Sequence, residues 1–140
     1  VKLDAEVFLD AAYLIALGVP TDQHRAQALE YFQLIGKART RVVTHFGVLF
    51  EVGSSLSKRK FRPAAIGLLE SIQRSSIVEI VPITEELARA GWDLFCRRPD
   101  KEWSWADCIS FVVMRERGIR QALTTDEYFE QAGFSALLRQ

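Results

Sequence analysis

Apolar residues recur along this chain in two rhythms. Short runs rich in β-branched and aromatic residues read as buried strands: 6–10 (EVFLD), 41–44 (RVVT), 77–81 (IVEIV) and 121–124 (QALT). A last edge strand falls near 134–138. Between these runs, apolar positions three and four residues apart predict helices. The first covers 11–17 and is closed by Gly18 and Pro20. The next runs from an Asp22 cap to Ile35, with Ala26, Leu29, Phe32 and Leu34–Ile35 as its apolar positions and Gly36 as its stop. Others cover 45–58 and 61–73, the latter with Pro63 in its first turn and Ile66, Leu69 and Ile72 toward the core. A helix over 84–97 opens with a Thr84 cap and the acids Glu85 and Glu86, which suit a helix start. Ser104 caps a helix to Arg117, stopped by Gly118, and a short helix covers 126–131 before Gly133. Strands alternating with helices predict an α/β class protein, a three-layer α/β/α sandwich on a mainly parallel sheet of four to five strands. With no repeat, linker or low-complexity tract, residues 1–140 read as one domain.

Composition narrows the classes. Hydrophobic residues make up 49% and charged residues 26%, which suits a packed core and excludes a disordered chain. No run approaches the roughly 18 apolar residues of a membrane span. The start, VKLDAEVFLD, lacks the basic and then apolar pattern of a signal peptide, so a cytoplasmic location without membrane attachment is expected. Eighteen basic residues balance eighteen acidic ones, so contact with nucleic acid must use a local patch rather than the field of the whole molecule. Two cysteines twelve residues apart and two histidines give neither a disulfide framework nor a thiolate zinc site.

The chemistry lies in isolated acids. Asp10 is the only charged residue from Val7 through Thr21. Glu51 is the only formally charged one from His45 through Ser57, and Asp107 the only one from Trp103 through Met114. Losing hydration costs a carboxylate several kcal/mol, so acids in buried segments are usually paired or bound to a metal. No Arg or Lys stands at helical or strand spacing to pair with them. Asp10 closes the first strand, and Asp126 in ALTTD follows the fourth. Asp107 falls in the first turn behind Ser104, and Glu51 about two turns into its helix. A capping role is open for Asp107 and Asp126, but not for Glu51. In a parallel α/β fold the ligand crevice lies beyond the C-terminal strand ends, where these acids can meet. Oxygen ligands without His or Cys suit hard cations, Mg²⁺ or Mn²⁺. Two such ions can clamp the attacking and leaving oxygens of a phosphodiester while a carboxylate acts as general base.

Four stretches, VFLDAAYLIAL (7–17), VVTHFGVLFEV (42–52), WSWADCISFVVMRERGI (103–119) and ALTTDEYFEQAGF (122–134), resemble the PIN-domain ribonucleases, closest to the bacterial VapC-like branch. The resemblance covers nearly the whole chain, in the right order and spacing. It implies a parallel α/β/α fold, an acidic site binding Mg²⁺ or Mn²⁺, and endonucleolytic cleavage of RNA. It maps the family's acids onto Asp10, Glu51, Asp107 and Asp126, and implies the toxin half of a toxin–antitoxin pair, a small antitoxin protein partner and a homodimer. One departure stands out. Ala11 and Ala12 follow Asp10 where the family often has Thr or Ser, whose hydroxyl helps hold the metal site.

Lys58, Arg59, Lys60 and Arg62 form a basic run beyond the Glu51 helix and read either as a phosphate-binding edge or as a solvated helix end. Arg115, Arg117 and Arg120 lie at the far end of the Asp107 helix, roughly 12–15 Å from that acid, and are weaker candidates. Trp103 and Trp105 read as packing residues, with stacking on an unpaired base as the alternative. A different class, a non-catalytic PIN-like module binding nucleic acid or protein, stays open on Ala11 and Ala12. Receiver domains and haloacid-dehalogenase-like phosphatases also place an Asp after the first strand. The phosphatases want a second Asp where Ala12 stands, and the receivers want a further acidic pair and a late strand-end Lys that this chain lacks.

Overall fold

A computed structural model of the protein describes residues 2–140. Five strands, β1 (Glu6–Leu9), β2 (Arg41–His45), β3 (Val78–Val81), β4 (Gln121–Leu123) and β5 (Ser135–Ala136), form one sheet in the order β3-β2-β1-β4-β5. Every pair is parallel; Val7 stands against Val42, and Leu9 against Leu123. Parallel neighbours require crossovers, and helices supply them. These are α1 (Ala11–Gly18), α2 (Arg25–Ala38), α3 (Phe46–Ser55), α4 (Arg62–Arg74), α5 (Glu85–Arg97), α6 (Trp105–Arg117) and α7 (Glu127–Gln131).

The central strand explains the layers. Val7, Phe8 and Leu9 of β1 are at most 1% exposed, so both faces of the sheet are covered, as an uninterrupted apolar run requires. Leu9 shares an apolar cleft with Tyr13, Leu17, Phe32 and Leu68, from α1, α2 and α4. Phe8 points the other way, toward Phe129 of α7, which meets Phe111 of α6 edge-on with ring centroids 5.0 Å apart. The buried residues form one continuous core.

Local signals set most boundaries. The Leu87 N–H donates to the Thr84 hydroxyl at 3.1 Å, capping α5. Gly91 lets α5 lie close on α6, since a Cβ there would come within 2.6 Å of Ile109 Cγ1 and 3.1 Å of its backbone nitrogen. That contact seats α6, and with it Asp107.

Four expectations need correcting. Asp22 does not cap α2; its carboxylate accepts from the His24 N–H at 2.8 Å in a turn, and the helix starts at Arg25. Gly36 does not stop it, because α2 continues to Ala38 and ends on Arg39 in the left-handed region. The inner face of α2 is Ala28, Tyr31 and Ile35, while Leu29 and Leu34 face outward and Phe32, 62% exposed, stands at the mouth of the apolar cleft. Ile66 likewise faces solvent, and only Leu69 and Ile72 of its stripe pack on the core.

Candidate functional site

The sheet's connectivity reverses direction between β1 and β4, which makes the crevice at their C-terminal ends the natural ligand site. Asp10 stands there, directly after β1 and only 8% exposed. Its backbone N–H donates to the Leu123 carbonyl of β4 at 3.3 Å. Its carboxylate does not cap α1; its Oδ2 accepts from the Thr124 hydroxyl at 2.7 Å. That same hydroxyl oxygen accepts from the Asp126 N–H at 3.0 Å. Thr124 is therefore a fully buried hub joining two of the acids across the switch point. Thr124, just past the end of β4, thus brings a hydroxyl to Asp10 from a distant part of the chain. Thr124 was missed as a site residue in the sequence; the signal was a hydroxyl two residues ahead of Asp126 in ALTTD.

Asp107 sits in the first turn of α6 and completes a capping box. Its N–H donates to the Ser104 hydroxyl at 3.0 Å, and its Oδ2 accepts from the Ser104 N–H at 2.9 Å. The capping role left open for this residue is thus real, and it engages Oδ2. Asp126 is the N-cap of α7, with Oδ1 accepting from the Tyr128 N–H at 2.8 Å. Glu51 is on the outer face of α3 and caps nothing.

The four acids lie close enough to act on one another's charge. Burial is the main cause that pushes the Asp10 carboxyl from its ordinary 3.8 up to about 7. The Thr124 hydroxyl and the Ala11 N–H pull it back, while the charges of Glu51 and Asp107 push it further up. Desolvation, then Asp107 and Asp126, raises Glu51. Desolvation also raises Asp107, against its Ser104 N–H bond and with help from Asp126. Among the described residues none of the four forms an ion pair; the basic side chains pair elsewhere, Arg117 with Glu79 and Arg120 with Asp4. The result is a rim of unneutralised negative charge drawn from four separate elements.

The donor chemistry fits a hard divalent cation. As they stand, however, no three His, Cys, Asp or Glu side chains among the described residues are gathered tightly enough to hold an ion. Like charges spread apart, and Asp10, Asp107 and Asp126 each give one oxygen to a local hydrogen bond. Mg²⁺ tolerates such openness, because it keeps several waters and takes only one or two carboxylates.

The basic run follows the helix that carries Glu51. Lys58, Arg59, Lys60 and Arg62 are all exposed in and beside the α3–α4 turn. Arg62 donates to the Ser57 carbonyl at 3.0 Å, and Lys60 lies over the Phe61 ring. Trp103 is buried against Phe111, whereas Trp105 is 45% exposed and joins Trp92 and Phe95 in a surface aromatic cluster.

A parallel α/β sandwich with carboxylates gathered at the β1/β4 crevice is the architecture of an acid-site hydrolytic domain, and the PIN domain model matches residues 7–135. The chain belongs to the PIN-domain family. It is similar to the 23S rRNA-specific endonuclease VapC20 of Mycobacterium tuberculosis, from strains H37Rv and CDC 1551, with 31% identity over 128 residues. That match spans 91% of this chain and 95% of the relative. The crystal structure of M. tuberculosis VapC20, described as a sarcin–ricin loop cleaving toxin, resembles this fold with a TM-score of 0.80 at 30% identity, covering 91% of this chain and 95% of that one.

Proposed function

We propose that this protein is a divalent-metal-dependent endoribonuclease that hydrolyses RNA phosphodiester bonds as the toxin of a toxin–antitoxin pair. The observation that carries the reading is the set of unneutralised acids at the switch crevice, with Asp10 raised to about 7. Asp10 and Asp107 would hold Mg²⁺ or Mn²⁺, with Glu51 and Asp126 completing the set. When bound, the ion offsets the charge that builds on the phosphate oxygens in the transition state. Thr124 keeps the Asp10 carboxylate oriented through its hydroxyl. Glu51, whose carboxyl is raised, takes the proton of the attacking water at a carboxylate oxygen. The exposed cations Lys58, Arg59, Lys60 and Arg62 bind phosphates beyond the scissile one.

The substrate, on this reading, is a loop of ribosomal RNA like the one that the M. tuberculosis relative cuts, which sets the work in the cytoplasm. No helix among the described residues is long and apolar enough to cross a membrane. Exposed aromatics support the expected homodimer. Phe46 and Phe50 on α3 and Trp92, Phe95 and Trp105 on α5 and α6 are exposed aromatics, and Ile83 is exposed beside the start of α3. Exposed patches of this kind mark interaction sites.

The test is RNA cleavage in Mn²⁺ and in Mg²⁺ by the protein and by its Asp10→Asn and Asp107→Asn variants, with far-UV circular dichroism on the same samples. Both variants are expected to stay folded and lose cleavage; undiminished cleavage by both refutes the assignment. Mapping RNA 5′ ends on treated ribosomes tests the substrate separately, since cuts outside ribosomal RNA remove that part and leave the nuclease reading.

A further inference from the structure

A buried polar pair lies behind the acidic rim. His45 ends β2, stands at the N-cap of α3 and is 0% exposed. Its Nε2 is 2.8 Å from the Ser110 hydroxyl of α6. Ser110 Oγ is also 3.2 Å from the Ala106 carbonyl, and with the hydroxyl proton on that carbonyl His45 donates through Nε2–H. Nδ1 is then left without a partner, the only such buried side-chain nitrogen or oxygen among the described residues. Burial holds the imidazole down at about 4, so the ring is neutral near pH 7. The ring packs on Phe8, and Gly47 leaves it room, since a Cβ there would fall 2.9 Å from Nδ1 and from Cε1.

Packing alone does not call for this pair. A Phe beside an Ala would fill the same space without stranding Nδ1. What the pair adds is a bond of fixed length and direction between two elements. Those elements carry the acids: Glu51 lies six residues after His45, and Asp107 three residues, about one turn, before Ser110. The two carboxylates repel each other across the gap: after burial, the Asp107 charge is the next cause that raises Glu51. Among the described residues no other side-chain hydrogen bond joins the β2–α3 junction to α6.

We propose that the His45–Ser110 hydrogen bond is a positioning strut that fixes the separation of Glu51 and Asp107 and so sets the affinity of the acidic rim for a divalent cation. The proposal rests on the reading of that rim as a cation site. It places His45 and Ser110 behind the reacting groups, where they touch neither substrate nor metal and act through the helices that they tie.

The test is calorimetric titration of the full chain, stripped with EDTA, with Mn²⁺, alongside the melting temperature of the metal-free protein. His45→Phe and Ser110→Ala are each expected to weaken Mn²⁺ binding at least fivefold. His45→Gln, which keeps a donor toward Ser110, is expected to restore binding to within twofold. The double variant H45F/S110A is expected to bind no more weakly than either single variant, because both remove the same bond. Lower melting temperatures with unchanged Mn²⁺ affinity would overturn the proposal and reduce the pair to packing. Absence of Mn²⁺ binding by the unaltered protein would overturn the cation-site reading and the strut with it. Should H45F fail to fold, the comparison of S110A with H45Q decides: weakened binding in S110A alone supports the strut, and unchanged binding in S110A overturns it.

Discussion

Replacing Asp10 by Asn should stabilise the metal-free protein at alkaline pH while removing its activity. Burial and the neighbouring acids raise the Asp10 carboxyl from 3.8 to about 7. A shift of about three units corresponds to about 4 kcal/mol of penalty on the charged form in the folded state. The sign follows from proton binding. Between about pH 4 and 7 the folded state holds a proton at Asp10 that the unfolded chain has lost, so stability falls as pH rises. Stability from this group is complete below about pH 4 and gone once pH has passed about 7. Asn is neutral throughout and keeps an acceptor for the Thr124 hydroxyl, but it cannot match every contact of the carboxylate. The net gain is therefore set at about 2–4 kcal/mol at pH 8, or roughly 5–15 °C in melting temperature for a chain of this size. Thermal unfolding followed by far-UV circular dichroism in EDTA at pH 4.5, 6 and 8 reads it, and the gap between the two proteins should nearly close at pH 4.5. Adding Mn²⁺ should reverse the order, because at a free concentration one thousand times its dissociation constant the unaltered protein gains about 4.1 kcal/mol and the variant does not. If Asp10→Asn is no more stable at pH 8, and its difference from the unaltered protein is independent of pH, the picture of a strained, desolvated charge is wrong.

Thr124→Val should remove the one side-chain donor to Asp10 and strand the Asp126 N–H, raising the Asp10 carboxyl further. Mn²⁺ affinity should then drop about tenfold at pH 7, the worth of about 1.4 kcal/mol for one lost hydrogen bond to a charged group, and recover toward pH 9, which calorimetry at both values reads. Changing Lys58, Arg59, Lys60 and Arg62 together to Gln should weaken RNA binding and flatten its salt dependence by about two to three units of slope, without lowering the melting temperature, because all four side chains are exposed. An unaltered salt slope would return that run to a solvated helix end. Gly47→Ala should cost about 1–3 kcal/mol in urea unfolding, despite alanine's better helix propensity, because the new Cβ meets the buried His45 ring.

How far the sequence could be read depends on the range of each signal. The strands and most helices were legible because periodicity, caps and stops act within a few residues. Thr84 and Ser104 cap α5 and α6 as their spacing predicts, and Gly118 ends α6. The inner face of α2 was not legible. Leu29 and Phe32 are more apolar than Ala28 and Tyr31, yet the helix turns the latter pair inward, where the Tyr13 hydroxyl bonds the Ala28 carbonyl and the Tyr31 hydroxyl bonds the Leu137 carbonyl. A hydropathy pattern cannot weigh such bonds or tell a core from an interaction surface.

The chain by itself determined which acids stand alone in segments suited to burial, because an unpaired carboxylate among apolar neighbours is visible in any linear reading. It also determined that the sheet would be parallel, because strands joined through helices have little other choice. Only the tertiary structure decided that β4 lies beside β1, and therefore that Thr124 and Asp10, 114 residues apart, share a buried hydrogen bond. Only it joined His45 to Ser110 and brought Glu51 within reach of the charges of Asp107 and Asp126. Desolvation and long-range repulsion depend on which distant segments pack together, and neither has a local signature.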